Sequence, residues 1–256
     1  MAIKTIQEWK IDKRGALYLL PGIPDKSVDM ILTDLPYSST HNEWDSIIPL
    51  KPLWDEYERI IKDKGVIVLT AQTPFDKILG CSNLKLLRYE WIWQKTNPTG
   101  FLNAYRMPLK AHENVLIFYK KLPTYNPQTT SGKSYRYRKD STMSDNYQDE
   151  FSKTGLIIND GTRMPISVQV FKKDIGIHPT RKPLALFEYL IKTYTNEGDN
   201  VHDSCLGSGT TLEACVNLNR NCTGFDISNE WEWNYHKIID RKKNCYQLSR
   251  IFKKEF

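Results

Sequence analysis

The chain has 256 residues, of which 40% are hydrophobic, and this length accommodates one large domain or one domain with an insertion. No apolar run approaches the roughly 18 residues that a membrane-spanning helix needs, so a membrane span is not predicted. The formal net charge of +6 is compatible with nucleic-acid binding but is too modest to predict it.

The cysteines lack the paired CxxC spacing of zinc sites and of disulfide frameworks. They are predicted to be reduced thiols, and the first residues lack the apolar core of a secretory signal. Both observations favour a cytoplasmic protein, and no metal site is predicted. The five cysteines are Cys81, Cys205, Cys215, Cys222 and Cys245.

Short apolar segments alternate with helix-like segments along most of the chain, which predicts an α/β fold with a largely parallel sheet. In chain order, the predicted elements of the first half are a strand at 28–33, a helix at 53–62 that Gly65 ends, and strands at 66–69, 89–95 and 114–119. Those of the second half are a helix at 187–195, a strand at 200–203, a helix at 210–219 and a strand at 221–225.

The segment from Leu122 to Asp174 breaks this alternation, because it is rich in polar and basic residues and poor in apolar periodicity. Residues 131–139 interleave basic and aromatic side chains, a composition that suits phosphate contacts and base stacking. A flexible surface loop is the alternative interpretation. The candidate DNA-binding residues are Lys133, Arg136, Arg138 and Lys139.

The last segment carries seven Lys or Arg between Lys237 and Lys254. Apolar residues recur at helical spacing from Trp231 to Ile239, so we predict a final helix with a solvated basic face. A phosphate-binding face is the alternative.

Two short motifs stand out against this background. Asp34-Leu35-Pro36-Tyr37 directly follows the predicted strand at 28–33. Taken alone, Asp34 would be interpreted as a turn or helix-capping residue. Far downstream, the strand at 200–203 leads into Asp203-Ser204-Cys205-Leu206-Gly207-Ser208-Gly209-Thr210-Thr211.

The second motif has the features of a ligand-binding glycine loop. Gly207 and Gly209 permit a tight turn and a close backbone approach at the start of a helix. Asp226 lies 19 residues after Gly207, near the spacing of an acid that binds a ribose. A dinucleotide-binding fingerprint would have a third glycine at the position of Leu212, so NAD binding is not favoured.

These motifs, in this order, resemble those of the DNA amino-methyltransferases, which methylate the exocyclic amine of adenine or cytosine with S-adenosylmethionine. Residues 178–183 (His-Pro-Thr-Arg-Lys-Pro) resemble the motif that opens the family's cofactor half, and Gly224-Phe225-Asp226 resembles its acidic strand end. A catalytic motif that precedes the cofactor motif is typical of the family's β class.

The resemblance implies a catalytic role for the first motif. Asp34 and the backbone carbonyl of Leu35 would accept the hydrogens of the amine, and Pro36 would hold Leu35 extended. Tyr37 would offer an aromatic face to a base flipped out of the duplex. The family usually has Asp-Pro-Pro-Tyr, so Leu35 is a departure that leaves the backbone carbonyl in place.

The resemblance also implies a cofactor site. Its residues would be Asp203, Ser204, Gly207, Gly209, Thr210, Thr211 and Asp226, with Lys182 as the partner of the cofactor carboxylate. Pro183 would open the next helix, and His178 would be a structural turn residue. The family more often has Glu at the position of Asp226 and Asp-Pro-Phe in place of Asp203-Ser204-Cys205.

In fold terms the resemblance implies a Rossmann-like α/β methyltransferase sheet with circularly permuted motif order and an inserted target-recognition region. The implied parts are a catalytic half at 1–121, the insertion at 122–175 and a cofactor half at 176–256. DNA is the implied partner, and the chain would be a bacterial or phage protein. A homodimer and a cognate restriction endonuclease remain open as further partners.

The resemblance leaves alternatives for the reaction. Asp34 favours the N6 amine of adenine, since the family more often has Ser there for the N4 amine of cytosine. Methylation at carbon 5 of cytosine needs a Pro-Cys nucleophile, which the sequence lacks. Relatives that act on protein glutamine or RNA usually have Asn at the position of Asp34 and the opposite motif order. A DNA-binding relative with a decayed catalytic loop remains open, because Leu35 and Ser204-Cys205 depart from the pattern.

Overall fold

The structure is a computed structural model that describes residues 5–37, 46–139, 155–174 and 181–252, without the side chains of residue 139 and residues 243–252. The helices are α1 (Ala16–Leu19), α2 (Leu50–Ile60), α3 (Phe75–Ser82), α4 (Leu184–Tyr194), α5 (Thr210–Leu218) and α6 (Glu232–Phe252). The strands are β1 (Gln7–Ile11), β2 (Val28–Asp34), β3 (Ile61–Ala71), β4 (Leu87–Thr99), β5 (Lys110–Phe118), β6 (Thr130–Ser131), β7 (Tyr135–Lys139), β8 (Gly155–Asn159), β9 (Thr162–Arg163), β10 (Val168–Phe171), β11 (Asn200–Asp203) and β12 (Asn221–Asp226).

Eight strands form one sheet in the order β1-β12-β11-β2-β3-β5-β4-β10. Strand β5 runs antiparallel to both of its neighbours, and the other seven strands share one direction. The predicted α/β fold with a largely parallel sheet is therefore confirmed. The carboxyl ends of β12, β11 and β2 meet at one edge, which is where open α/β sheets bind their ligands.

Strand β2 is apolar without alternation because both of its faces are covered. Met30 and Leu32 pack into a core that contains residues of α4, α5 and α6. Ile31 points to the opposite face and packs with residues of α1, α2 and α3. Full burial of a side chain of this size stabilises the fold by about 1.5–3 kcal/mol. This packing fixes the position of Asp34 at the end of the strand.

Gly65 does not have the role that the sequence predicts. Helix α2 ends at Ile60, and Gly65 lies inside β3, next to an irregularity in the pairing of β2 with β3. A Cβ atom at position 65 would lie 2.7 Å from the Ile61 side chain and 2.9 Å from the carbonyl oxygen of Asp29. The glycine therefore permits a close approach of two strands rather than ending a helix.

The predicted final helix is present as α6. Tyr235 and Ile238 are buried on its inner face, and Trp231 and Ile239 pack partly against the same core. These contacts fit the helical spacing from which the helix was predicted. Lys253 and Lys254 lie outside the described residues.

The chain divides into two compact units, one formed by Met1–Asn126 with Ser167–Phe256, and one by Pro127–Ile166. The second unit contains two two-stranded sheets, β6 with β9 and β7 with β8. Strand β10, which the sequence assigns to the insertion, pairs with β4 and belongs to the large sheet. No helix in the described ranges is both long and apolar enough to span a membrane.

Candidate active site

Three acidic residues end three neighbouring parallel strands at the same edge of the sheet. Asp34 ends β2, Asp203 ends β11 and Asp226 ends β12. The order β12-β11-β2 brings together two motifs that are about 170 residues apart in sequence.

The Asp34 carboxylate is held by three side chains. The Lys182 ammonium lies 2.6 Å from its Oδ2. The hydroxyl groups of Tyr37 and Thr70 both donate to its Oδ1. Thr70 is the residue of β3 that pairs with Asp34, so the sheet itself supplies this donor.

Two further charged residues extend this cluster, and the motif analysis missed both of them. Glu113 of β5 places one carboxylate oxygen 3.3 Å from the Lys182 ammonium and the other 2.7 Å from the Lys95 ammonium. The side chains of Lys95 and Glu113 are only 8% and 6% exposed. In sequence, neither lies near a motif. A buried carboxylate between two lysines is costly unless every charge is paired, as it is here.

The cluster fixes the protonation of two members. Burial by itself disfavours the Lys182 ammonium, but the nearby Asp34 carboxylate, together with Tyr37 and Glu113, raises the pKa of Lys182 well above its usual value. Burial and the negative charge of Asp34 raise the pKa of Tyr37 well above its usual value. At neutral pH Lys182 is therefore a cation, and Tyr37 is a neutral hydroxyl donor.

These contacts leave Asp34 with room for one more hydrogen bond. An ionised carboxylate offers about four lone-pair positions. Among the described residues, donors occupy two positions on Oδ1 and one on Oδ2. The Asp34 side chain is still 30% exposed, so the remaining position on Oδ2 can accept one N–H of an incoming group.

Leu35 packs into the core and Tyr37 contacts Asp34, two contacts that the sequence interpretation did not include. The Leu35 side chain is 3% exposed and packs into the core beside α2, which anchors the loop where the family usually has proline. The Tyr37 ring lies against Phe75 with centroids 5.4 Å apart, and its hydroxyl points to Asp34. Tyr37 thus orients the Asp34 carboxylate, whereas the sequence interpretation gave it only an aromatic face for base stacking.

Lys182 also differs from its sequence interpretation. The sequence analysis assigns it to a cofactor carboxylate, whereas its ammonium contacts the protein's own Asp34 and Glu113. The neighbouring Arg181 pairs with Glu213 of α5 at 2.5 Å and fastens the same segment to the core. His178 and the rest of residues 175–180 lie outside the described residues.

Glycine suits the two loop positions for different physical reasons. Both have positive φ, +50° at Gly207 and +84° at Gly209. A Cβ atom at Gly209 would lie 2.9 Å from the Tyr235 ring, so this glycine serves packing. A Cβ atom at Gly207 would meet no atom within 4 Å, so the backbone there is open to a ligand.

Asp226 faces the same opening. Its Oδ2 accepts the backbone N–H of Gly207 at 2.7 Å, and its Oδ1 accepts that of Ser228 at 3.0 Å. Burial raises the pKa of Asp226, although these N–H groups oppose the change. Each oxygen retains a lone pair for a further donor. A cleft of about 710 Å³ opens beside it, lined by Trp9, Ile11, Asp12, Lys13, Ile227, Ser228, Asn229 and Glu232.

Other predicted cofactor residues brace the loop from inside. Asp203 is buried, accepts the Cys205 N–H at 3.0 Å and is also bonded by the Thr211 hydroxyl. Burial raises the pKa of Asp203 to about 7. The Ser204 hydroxyl is buried between the Tyr57 hydroxyl, at 2.9 Å, and the ring of His202, at 3.0 Å. These contacts argue against direct side-chain contacts from Ser204 and Thr211 to a cofactor. Thr210 is also buried, at the first position of α5.

The predicted DNA-binding residues lie in the second unit. Tyr135 and Tyr137 stack on one face of β7 with centroids 6.0 Å apart. Because strand side chains alternate, Arg136 and Arg138 lie on the other face, opposite Ile158 and Leu156 of β8. The interleaved sequence therefore separates aromatic and basic side chains onto two faces. Lys133 is exposed, and the side chain of Lys139 lies outside the description.

A glycine loop and acidic strand ends that meet at one edge of an open α/β sheet are typical of enzymes that bind a nucleoside-containing cofactor. The family model described as DNA methylase matches residues 28–238. This range contains both motifs, and the chain belongs to this family.

Two bacterial relatives resemble the chain over most of its length. Type II methyltransferase M.HpaI of Haemophilus parainfluenzae is 28% identical, over 90% of this chain and 77% of the relative. Type II methyltransferase M1.MboII of Moraxella bovis is 27% identical, over 87% of this chain and 93% of the relative.

Solved structures show the same fold. The M1.HpyAVI–SAM complex superposes with a TM-score of 0.61 and 22% identity, over 91% of this chain and 99% of the other. The cytosine-N4-specific PvuII DNA methyltransferase superposes with a TM-score of 0.63 and 15% identity, over 94% and 93%.

Proposed function

We propose that this chain transfers a methyl group from S-adenosylmethionine to the N6 amine of adenine in DNA. The observation that carries the proposal is the Asp34 carboxylate, which is fixed by Lys182, Tyr37 and Thr70 yet keeps one open acceptor position. A base amine whose lone pair is delocalised into the ring needs such an acceptor to become a nucleophile.

The residues of the cluster have separate roles in the proposed reaction. Asp34 accepts one amine hydrogen on Oδ2, and the Leu35 carbonyl is the candidate acceptor for the second. Lys182 pairs with the carboxylate, while Tyr37 and Thr70 fix its direction before substrate arrives. After the nitrogen has gained the methyl group it carries a positive charge and loses one proton, for which Asp34 is the nearest acceptor.

The loop and Asp226 fit the cofactor. S-adenosylmethionine, when bound, supplies a methyl group on a positively charged sulfur, ready for transfer to a nucleophile. Asp226 has lone pairs left for ribose hydroxyls, and the open face of Gly207 admits a close ligand.

Transfer to the N4 amine of cytosine is the second candidate. It is favoured by the fold shared with the cytosine-N4-specific PvuII enzyme. Adenine remains the proposal because the chain has Asp at position 34, where the family more often has Ser for cytosine. Both reactions use the same acceptor geometry.

We further propose that the 127–166 unit contributes DNA contacts through Lys133, Arg136, Arg138 and Lys139. The exposed basic side chains of β7 and the segment before it support this role. The type II names of the relatives make a cognate restriction endonuclease the partner to seek.

The test is mass spectrometry of unmethylated bacterial DNA after incubation with the purified chain and S-adenosylmethionine. We expect N6-methyladenine, and we expect Asp34→Ala to abolish it while cofactor binding by calorimetry stays within threefold. Asp55→Ala, an exposed carboxylate of α2, is the matched control and should retain full activity. N4-methylcytosine would support the second candidate, and turnover by Asp34→Ala within threefold of wild type would overturn the catalytic assignment.

A further inference from the structure

The loop that joins β4 to β5 carries four large apolar side chains that are more than half exposed. Leu102 and Tyr105 are fully exposed, at 101% and 106%, and Phe101 and Met107 are 67% and 51% exposed. Four such side chains within seven residues form a contiguous apolar tip, which on a folded protein marks an interaction surface. Residues 101–107 are called the tip below.

The tip is a folded knob rather than an extended loop. Phe101–Asn103 forms a turn of 3-10 helix after Gly100, whose φ is +91°. The N–H groups of Asn103 and Ala104 bond back to the carbonyls of Gly100 and Phe101, and that of Met107 bonds to Asn103. The apolar side chains are therefore presented on a defined backbone, which lowers the entropic cost of using them in binding.

The tip projects from the sheet edge that holds Asp34. Thr70 pairs with both Asp34 of β2 and Val115 of β5, so these residues lie at one level of the sheet. The arm, which is the β4–β5 hairpin below the tip, continues to the pair Thr99–Lys110, five residues beyond that level along β5. At about 3.4 Å per residue, the base of the tip lies about 17 Å beyond the level of Asp34 in the sheet.

The charge of the arm indicates which kind of partner it binds. Between Thr96 and His112 the sequence contains Arg106 and Lys110 but no Asp or Glu. Arg106 and Lys110 are exposed. An apolar knob on a basic, acid-free arm complements a polyanion whose interior is apolar, which describes stacked bases between two phosphate backbones.

We infer that the tip is a DNA-contacting wedge, with Leu102 and Tyr105 entering the base stack next to the flipped nucleotide and Arg106 and Lys110 contacting phosphates. The inference rests on the proposed function, because it takes the substrate to be duplex DNA with its target base turned toward Asp34. A base that leaves the duplex opens a gap in the stack, and apolar side chains can fill such a gap and hold the duplex distorted.

The test compares Leu102→Ala/Tyr105→Ala with wild type on a duplex that carries the methylation site, found by sequencing DNA from cells that express the chain. We expect the dissociation constant for the duplex to rise about ten- to a hundredfold. The loss should be smaller when the target base is mispaired, since a mispaired base leaves the stack more easily. S-adenosylmethionine binding should not change, because the tip lies outside the cofactor loop.

Leu84→Ala/Leu122→Ala is the matched control, since both leucines are exposed and lie at the other end of the β4–β5 hairpin. It should bind DNA as wild type does. Arg106→Gln/Lys110→Gln should lower the slope of log affinity against log salt by about 1.8, at roughly 0.9 for each phosphate contact.

The outcomes separate this inference from the proposed function. If wild type methylates no DNA, the proposed function fails. If wild type methylates DNA and the Leu102→Ala/Tyr105→Ala variant binds the matched and mispaired duplexes as wild type does, only the wedge is overturned. A variant that instead dissociates from dimer to monomer in analytical ultracentrifugation, with unchanged DNA affinity, would overturn the wedge and assign the tip to contact with a second copy.

Discussion

Replacing Lys182 with Met tests the ion cluster directly, because methionine keeps most of the side-chain volume and removes the charge. The ammonium contacts Asp34 at 2.6 Å and Glu113 at 3.3 Å, and the Lys182 side chain is 9% exposed. Removing one partner of a buried ion pair costs about 3–5 kcal/mol. Asp34 is 30% exposed and Glu113 keeps Lys95, so the cost should lie near the lower value, about 3 kcal/mol.

The expected loss is measurable by urea unfolding and by thermal unfolding. For a chain of this size, 1 kcal/mol lowers the melting temperature by roughly 2–4 °C, so Lys182→Met should melt about 6–12 °C below wild type. Lys192→Met removes an exposed lysine of α4 and is the matched control, with an expected change within about 0.5 kcal/mol.

Activity measurements on Lys182→Met decide between two roles for this lysine. If it orients Asp34, the single-turnover rate of methyl transfer should fall about ten- to a hundredfold, since a charged hydrogen bond contributes roughly 1.5–3 kcal/mol. Binding of S-adenosylmethionine by calorimetry should then stay within threefold. A dissociation constant that rises tenfold or more, with an unchanged rate at saturation, would refute this reasoning and assign Lys182 to the cofactor carboxylate. Unchanged stability would refute the buried cluster itself.

Three further predictions concern residues around the same edge. Tyr37→Phe keeps the ring against Phe75 but removes the hydroxyl from Asp34, so single-turnover methyl transfer should slow by about tenfold or more, and a wild-type rate would mean that only the aromatic face matters. Asp226→Ala should raise the calorimetric dissociation constant for S-adenosylmethionine about ten- to a hundredfold, and an unchanged constant would move the ribose site elsewhere. Burial lowers the pKa of His202 to about 3, so neutral His202 stabilises the fold above pH 6.5 and this stability is lost as the pH falls. Between pH 7 and pH 5, wild type should therefore lose about 2 kcal/mol relative to His202→Asn in urea unfolding, and parallel curves would contradict the shift.

The sequence predicted the elements whose signals are local. Strand β2 reads as a continuous apolar run because both faces are covered, and α5 begins where the glycine loop ends. The misplaced helix end at Gly65 has a tertiary cause, since a neighbouring strand approaches too closely for a side chain. The sequence of a single segment does not reveal how closely another strand approaches it.

The candidate site was predictable where one motif holds all of its chemistry, as at Asp34 and Gly207. Lys95 and Glu113 could not be found in this way, because each lies in a strand outside the motifs and gains meaning only from the buried ion pairs that join it to Lys182. An alternation analysis that asked which face of β5 is covered would have marked Glu113 as a charge on a buried strand. Such a residue needs a partner, and this requirement was the available signal.

The cluster links two parts of the site that are far apart in the chain. Asp34 belongs to the proposed catalytic motif and Lys182 to the segment before the glycine loop, 148 positions apart in the sequence. The Lys182–Asp34 ion pair therefore ties the first motif to the segment before the glycine loop, so we expect changes at Lys182 to affect stability and catalysis together. The Tyr37 hydroxyl reaches the same carboxylate without contributing charge. Comparing Tyr37→Phe with Lys182→Met therefore separates the orientation of Asp34 from the electrostatic stability of the cluster, because only the lysine variant removes a charge from the cluster.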